Sequence, residues 1–502
     1  MNRRSWSGVA ISCALAAIVA RSTVASAPDA CERLRSLTLE GGTIAQSATV
    51  EAGGLAQAGA GMSNLPAFCR VMATLKPTPD SDIKIEVWMP QAGWNGKFQA
   101  VGNGAWSGSI PSGAMANALR RGYATASTDT GHTGNTARFA LGHPEKLTDF
   151  AWRSVHEMTL AAKGIVTAFY GRAARLSFWN GCSAGGRQAM KEAQMFPADY
   201  DGIIAGSPGL DWSGRSTQAV HVAHALRNED AQLPPQALQL LHDAVVRACD
   251  ANDGLKDGLI GDPSRCAFDP ATLQCKAAGD TGCLTPAQVA SARTVYATAV
   301  NPKSSRRMPG LAPGSERGWT PLGWTASARA TGQDHFRFII FKDPDWDVSR
   351  FNPETDTFRV DEGESAALNA IDANLEPFFL RGGKLLHYHG WSDPQISPFA
   401  SVAYYQQVVD RFGAGAVRAS YRLFMAPGMG HCGGGEGPND FDALAALERW
   451  VEQGKAPDSI QAAHATNGRV DRTSPLCPYP QVAKYRGSGS VNEAQSFICA
   501  AR

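Results

Sequence analysis

The sequence predicts an α/β architecture, a hydrolase-like core interrupted by a large insertion, and three observations predict it. Residues 175–179, short, apolar and aromatic, run into Gly181-Cys182-Ser183-Ala184-Gly185 and then into 188–195, made largely of good helix formers. A strand, a sharp turn and a helix is the setting in which a Gly-x-Ser-x-Gly pattern lifts a serine clear of a sheet. The strand-and-helix rhythm then breaks off after Pro208 and resumes near residue 371. Finally, an aspartate and a histidine follow later strand-like runs, giving the order Ser183, Asp393, His431, which is that of an α/β-hydrolase.

Bulk properties set the limits. A chain of 502 residues, 43% apolar and 19% charged, is globular and long enough for a catalytic core plus a sizeable insertion. A net charge of +1 gives no ground for nucleic acid or an anionic membrane as partner. Residues 1–27 read as a secretory signal: Arg3 and Arg4 lead an apolar run over 9–20, and Ala25-Ser26-Ala27 offers a cleavage site. The alternative is an uncleaved anchor, although that run is too short to span a bilayer. A secreted or periplasmic location follows. Removing Cys13 with the signal leaves ten of the eleven cysteines, and export favours disulfides over zinc or free thiols. Short spacings suggest Cys249–Cys266, Cys275–Cys283 and Cys477–Cys499. Cys31–Cys69 would tie down the mature N-terminus, and Cys182 and Cys432 remain. If those two are bonded, Ser183 and His431 are near neighbours, since bridged Cα atoms lie about 4.4–6.8 Å apart.

Taken in order, residues 30–73 are Gly/Ala-rich and suggest irregular strands. Residues 83–89 alternate as a strand does. Residues 98–101 form another and lead into the Gly-rich loop 102–108, where Gly104 is the candidate for one oxyanion donor, with the N–H of Ala184 as the other; an ordinary glycine turn is the competing reading. Residues 114–121 look helical and 123–128 extended. Asp129 and His132 follow a strand end, where such a pair can be catalytic, but better candidates come later and favour structural hydrogen bonding; His156 is a packed residue of a helix within 150–170. Residues 200–208 make the next strand and turn. The core is thus assigned to 28–208 and 371–502, and an inserted lid to 209–370, with helix 235–248 inside it. Within the insertion, Asp250, Asn252, Asp253 and Asp257 gather hard oxygens in one short loop, which suits calcium rather than zinc or copper, or else makes a solvated Asx turn. Further on, Trp324, Arg329, His335, Phe336 and Arg337 either hold an aromatic acid or pack lid against core. Residues 383–390 and 422–425 are strands ending before Asp393 and His431, residues 440–451 an amphipathic helix, and 473–502 a stapled, loop-rich tail.

The chemistry follows from residue type. A serine hydroxyl attacks an ester only when a neighbour takes its proton; His431 would do so, and Asp393 would fix its tautomer and stabilise the imidazolium. With Gly-Cys-Ser-Ala-Gly-Gly at 181–186, His-Gly-Trp-Ser-Asp at 389–393, Gly-His-Cys at 430–432 and the acidic loop at 249–260 in view, the chain resembles the tannase/feruloyl esterase family, which includes the mono(2-hydroxyethyl) terephthalate hydrolases. The resemblance covers nearly all of the mature chain. It implies an α/β-hydrolase core, a lid, and a structural Ca2+ held by the side chains of Asp250, Asp253 and Asp257 and the carbonyls of Leu255 and Leu259. It also implies small aromatic ester substrates of the feruloyl or galloyl type, with Trp391, Ile396 and Arg329 as substrate-contact candidates. Ile396, three residues after Asp393, gives an aliphatic wall and leans away from a terephthalate ring. A terephthalate monoester hydrolase or other small-ester esterase is the alternative, and a binding protein on a hydrolase scaffold a remote one.

Overall fold

Alternating apolar residues in the N-terminal third build the first strands, and continuous apolar runs build the later, doubly covered ones. The computed structural model describes Met1 and residues 29–55, 62–277, 279–319, 326–361 and 363–501. The signal assigned to 1–27 and Trp324 lie outside these residues, and the side chain of Arg329 is likewise not described. The strands of the main sheet are β1 (Gly42–Val50), β2 (Phe68–Leu75), β3 (Ile83–Pro90), β4 (Lys97–Val101), β5 (Ala124–Thr128), β6 (Leu176–Cys182), β7 (Gly202–Gly206), β8 (Lys384–Gly390) and β9 (Tyr421–Ala426). Among the described residues this is a nine-stranded sheet in the order β1-β2-β3-β5-β4-β6-β7-β8-β9. The first three strands pair antiparallel, β3 pairs antiparallel with β5, and every pair from β5 to β9 is parallel. The 30–73 segment is more regular than its composition suggests. β2 alternates in burial, and β1 matches it residue for residue apart from one irregularity at Ile44/Gln46, so packing on the sheet overrides weak local propensity.

Helices α1 (Ser112–Arg120), α2 (Ser154–Tyr170), α3 (Ala184–Met195), α7 (Pro398–Phe412) and α8 (Ala443–Gln453) cover the sheet, and α4 (Trp212–Ala225), α5 (Pro235–Cys249) and α6 (Pro286–Tyr296) lie in the insertion. α2 ends on Gly171 in the left-handed conformation and α8 on Gly454, the usual way to stop a helix. After β7 the chain leaves the sheet and returns at β8. In between, α4, α5 and α6 enclose a separate apolar cluster that includes Val222, Leu241, Leu284, Val295 and Trp319. The C-terminal region pairs as two hairpins, Ile460–Thr466 with Arg469–Leu476 and Val482–Tyr485 with Phe497–Ala500, so 473–502 is less loop-rich than expected. Among the described residues no helix is long and apolar enough to cross a membrane. The described cysteines form five disulfides, Cys31–Cys69, Cys182–Cys432, Cys249–Cys266, Cys275–Cys283 and Cys477–Cys499.

Candidate active site

Ser183 stands between β6 and α3 with φ 63° and ψ −121°. A non-glycine residue there is strained by about 1–3 kcal/mol, and the surrounding backbone holds it in place. The Ser183 N–H donates to the Gly206 carbonyl at 2.9 Å, and the Ser183 carbonyl accepts from Arg187 at 3.0 Å and Gly209 at 3.2 Å. The glycines allow this closeness. A Cβ on Gly185 would lie 3.0 Å from Gly102 Cα, and one on Gly181 would run into the Gly185 carbonyl. Gly102-Asn103-Gly104 is thereby held against the start of α3: Gly185 N–H donates to the Asn103 carbonyl at 2.8 Å, and Asn103 N–H donates to Gln188 Oε1 at 3.0 Å. The Asn103 side chain donates to the Thr128 carbonyl at 2.8 Å. Gly104 is exposed, Ala184 is buried, and a Cβ on Gly104 would meet nothing within 4 Å.

Asp393 and His431 sit beyond the ends of neighbouring parallel strands, where Gly390 of β8 pairs with Ala426 of β9. Ser392 N–H donates to the Met429 carbonyl at 3.0 Å, tying the two loops together. His431 Nδ1 lies 2.8 Å from Asp393 Oδ2. Asp393 Oδ1 accepts the backbone N–H of Gln395 at 2.8 Å and of Ile396 at 3.0 Å. Burial opposes the charge on Asp393, but the adjacent His431 and the bonds from His389 and His431 outweigh it and hold the carboxyl well below its ordinary range. The Cys182–Cys432 bridge, with Cα atoms 6.0 Å apart, fastens the residue before Ser183 to the residue after His431. Among the described residues no hydrogen bond joins Ser183 Oγ to the His431 ring; such contacts are often long without substrate and tighten on binding.

The other sequence candidates separate. Ile396 is buried, with Cδ1 3.8 Å from where a Gly209 Cβ would stand, so it lies beside the segment that holds Ser183. Trp391 is 2% exposed, packs on Phe399 at 5.9 Å and lines a cavity of about 510 Å3 between the acidic loop and the C-terminal tail. The side chain, two residues before Asp393, packs in the main core cluster. His335 donates to or accepts from Ser365 Oγ at 3.0 Å, Phe336 stacks on Trp346, and Arg337 Nε donates to the Trp346 carbonyl at 2.7 Å. These three residues pack the insertion. Asp129 accepts from the N–H of Lys84 at 2.9 Å and Gly131 at 2.8 Å, and His132 contacts the Trp106 carbonyl at 2.8 Å, both structural roles.

Two further groups have metal-ligand chemistry. In the acidic loop, Asp250 accepts from the N–H of Asp257 and Gly258, each at 3.1 Å, while Asp253 and Asp257 accept from Leu255 and Leu259 at 3.0 and 3.1 Å. Burial pushes the Asp253 and Asp257 carboxyls up, and mutual repulsion with Asp250 adds to it. Three crowded carboxylates and nearby carbonyls in a loop closed by Cys249–Cys266 form an all-oxygen donor set that fits a hard divalent cation. The second group was missed in the sequence. His156, Glu192 and Asp199 bring three donor atoms within 4.8 Å of one another. There His156 Nδ1 bonds Asp199 Oδ2 at 2.7 Å, its ring stacks on Phe196, and Lys163 donates to the Asp199 carbonyl. Burial, then Asp199, pushes the fully buried Glu192 carboxyl well above its ordinary range. Asp199 lies seven residues from Glu192, across the α3–β7 turn, a spacing with no helical or strand signature.

Comparison with known proteins agrees with this geometry. Residues 69–500 match the family model described as tannase and feruloyl esterase. An uncharacterized esterase of Xanthomonas campestris pv. campestris is 38% identical over 547 residues, covering 97% of this chain and 93% of that protein. Feruloyl esterase B of Aspergillus niger is 32% identical over 452 residues, 86% of each chain. The crystal structure of feruloyl esterase B from Aspergillus oryzae superposes with a TM-score of 0.87 at 29% identity, over 94% of this chain and 99% of that one. Tannin acyl hydrolase from Aspergillus niger shares the fold, with a TM-score of 0.78 at 22% identity over 94% of each chain. A mixed sheet with a serine raised at its strand–helix turn, backed by these relatives, defines a carboxylic ester hydrolase of the α/β-hydrolase type. Within that class the chain belongs to the tannase and feruloyl esterase family.

Proposed function

We propose that the protein is an exported serine esterase that hydrolyses esters of aromatic carboxylic acids, of the feruloyl or galloyl type, through Ser183, His431 and Asp393. The observation that carries the reading is the disulfide fastening the Ser183 turn to the His431 loop, together with the 2.8 Å contact between His431 and Asp393. Ser183 Oγ attacks the ester carbonyl while His431 Nε2 takes its proton. The N–H groups of Gly104 and Ala184 receive the oxyanion, each worth roughly 2.7–4 kcal/mol where such donors have been removed. His431 then protonates the leaving alcohol, and water, deprotonated by the same imidazole, releases the acid from the acyl-serine. Asp393, ionised and multiply hydrogen-bonded, keeps Nδ1 protonated so that Nε2 faces the serine.

Five disulfides support export, since such bridges persist in oxidising compartments. Ca2+ in the acidic loop, held by Asp250, Asp253 and Asp257 with the carbonyls of Leu255 and Leu259, would relieve the crowding of those carboxylates and brace the loop against the 427–437 segment. A panel of methyl ferulate, methyl gallate and a terephthalate monoester, compared by kcat/KM, tests the substrate class. Preference for ferulate or gallate is expected. Preference for the terephthalate monoester, or for short aliphatic esters, would overturn the aromatic-acid assignment while leaving the esterase intact.

A further inference from the structure

Behind Asp393 runs a line of side chains that the proposed reaction does not use. His389, on β8, places Nε2 3.1 Å from Asp393 Oδ2 and 3.1 Å from the Ile396 carbonyl. Its Nδ1 lies 2.7 Å from Ser401 Oγ on α7. The same Oγ lies 2.9 Å from His387 Nε2, and His387 Nδ1 lies 2.7 Å from the Tyr421 hydroxyl on β9. Asp393, His389, Ser401, His387 and Tyr421 are each 0% exposed.

The partners fix the protons. His389 Nε2 faces a carboxylate and a carbonyl, both acceptors only, so it carries hydrogen. A neutral His389 then accepts at Nδ1 from the Ser401 hydroxyl. Ser401 accepts from His387 Nε2–H, and His387 accepts at Nδ1 from the Tyr421 hydroxyl. Burial keeps His387 neutral. Every group in the line is satisfied, and every donor points toward Asp393, an alignment in which each bond polarises the next.

We infer that His389 is a positioning residue for the hydrolysis, its ring held in place by the Ser401–His387–Tyr421 line so that its Nε2–H shares Asp393 Oδ2 with His431. The inference rests on the proposed Ser183–His431–Asp393 reading and deepens it. Asp393 thereby has its two oxygens bonded by four donors: the N–H groups of Gln395 and Ile396 on one, and the two imidazoles on the other. His389 steers the carboxylate and limits how strongly it pulls on the His431 imidazolium. Without that donor the carboxylate turns wholly to His431, so the imidazolium is favoured and the acid limb of the rate profile rises.

The test is kcat and KM for one aromatic ester across pH 5–9, in wild type, Ser401→Ala and His389→Gln, with melting temperature as the fold control. Ser401→Ala removes the hydrogen bond at Nδ1 that holds the His389 ring in register with Asp393. It is expected to lower kcat roughly tenfold, leave KM within about twofold and raise the acid limb by about half a pH unit. His389→Gln keeps an N–H near the Nε2 position and is expected to retain the wild-type limb. A folded Ser401→Ala protein with the wild-type kcat and limb overturns the inference. Should Ser401→Ala fail to fold, His389→Met, which has no donor, replaces it, and an equal limb in the Gln and Met variants overturns the inference. Failure of the underlying triad reads differently, as retained turnover in Ser183→Ala.

Discussion

Asp393 is the residue on which most of the local chemistry converges. Its carboxyl is depressed against its own burial, so the sign of its pH dependence is fixed. The stability it contributes is present above its unfolded value of 3.8 and is lost as pH falls below that toward the folded value. Asp393→Asn should lower kcat by about 10^4 by turning an amide toward His431 and reversing its tautomer, as in the known triad case. Circular dichroism should show the fold retained, and a variant within tenfold of wild type would show that Asp393 plays no part in the reaction. The places of Ser183, Asp393 and His431 just past strand ends were legible in the sequence because each follows an apolar run and carries a distinctive neighbour. The burial of Trp391 was not, because the sequence leaves open the phase of a residue at a strand end.

Among elements, α3 carries the most constraint. Its first turn supplies Ala184 and crosses the Gly102 loop at backbone contact, and its last turns carry Glu192 into the core. Gly185→Ala should push the two segments apart, destabilise the protein by about 1–3 kcal/mol and reduce kcat more than it changes KM. Thermal melts and steady-state kinetics read both effects. Glu192 makes the opposite kind of prediction. Its folded pKa is raised, so the native state holds a proton that the unfolded chain releases. Stability then falls as pH rises above its unfolded value of 4.5. Glu192→Gln should flatten that part of the stability curve and melt higher than wild type at pH 8; an unchanged slope would mean that Glu192 is ionised in the fold. Several helices were readable from apolar spacing, as with the amphipathic run 440–451, which the structure starts at α8 behind Asp442, whose side chain accepts from Ala445 N–H. The N-terminal strands and the hairpins of the tail were harder to read, because their glycine, alanine and polar residues become strands only through pairing with distant partners.

At the scale of the molecule, strands far apart in sequence are brought side by side, and covalent bonds lock what the sheet arranges. β7 and β8 are neighbours although the insertion separates them. Cys182 and Cys432 are joined across 250 residues, and Cys432 is exposed to reductant. Mild reduction should release the His431 loop and lower activity before the fold melts, at a cost in stability of roughly 2–5 kcal/mol. Equal activity in oxidised and singly reduced protein, with the thiols counted, would remove the bridge from the account. Chelation of divalent cations should lower the melting temperature more than it changes kcat at low temperature, because the acidic loop meets the base of the His431 loop at Gly428 while the Cys182–Cys432 bridge holds that loop's tip. The α/β core was legible from the strand–turn–helix around Ser183 and the later strands before Asp393 and His431, whereas the internal packing of the insertion was not, since its short helices and turns follow no long period.

The most direct measurement is peptide mass spectrometry after brief mixing with a p-nitrophenyl ester of an aromatic acid, quenched in acid to trap the acyl-enzyme. The account predicts one acyl increment, on the peptide containing Ser183, lost together with turnover in Ser183→Ala and not accumulating in His431→Ala. Acylation at another residue, or undiminished turnover in Ser183→Ala, would contradict it.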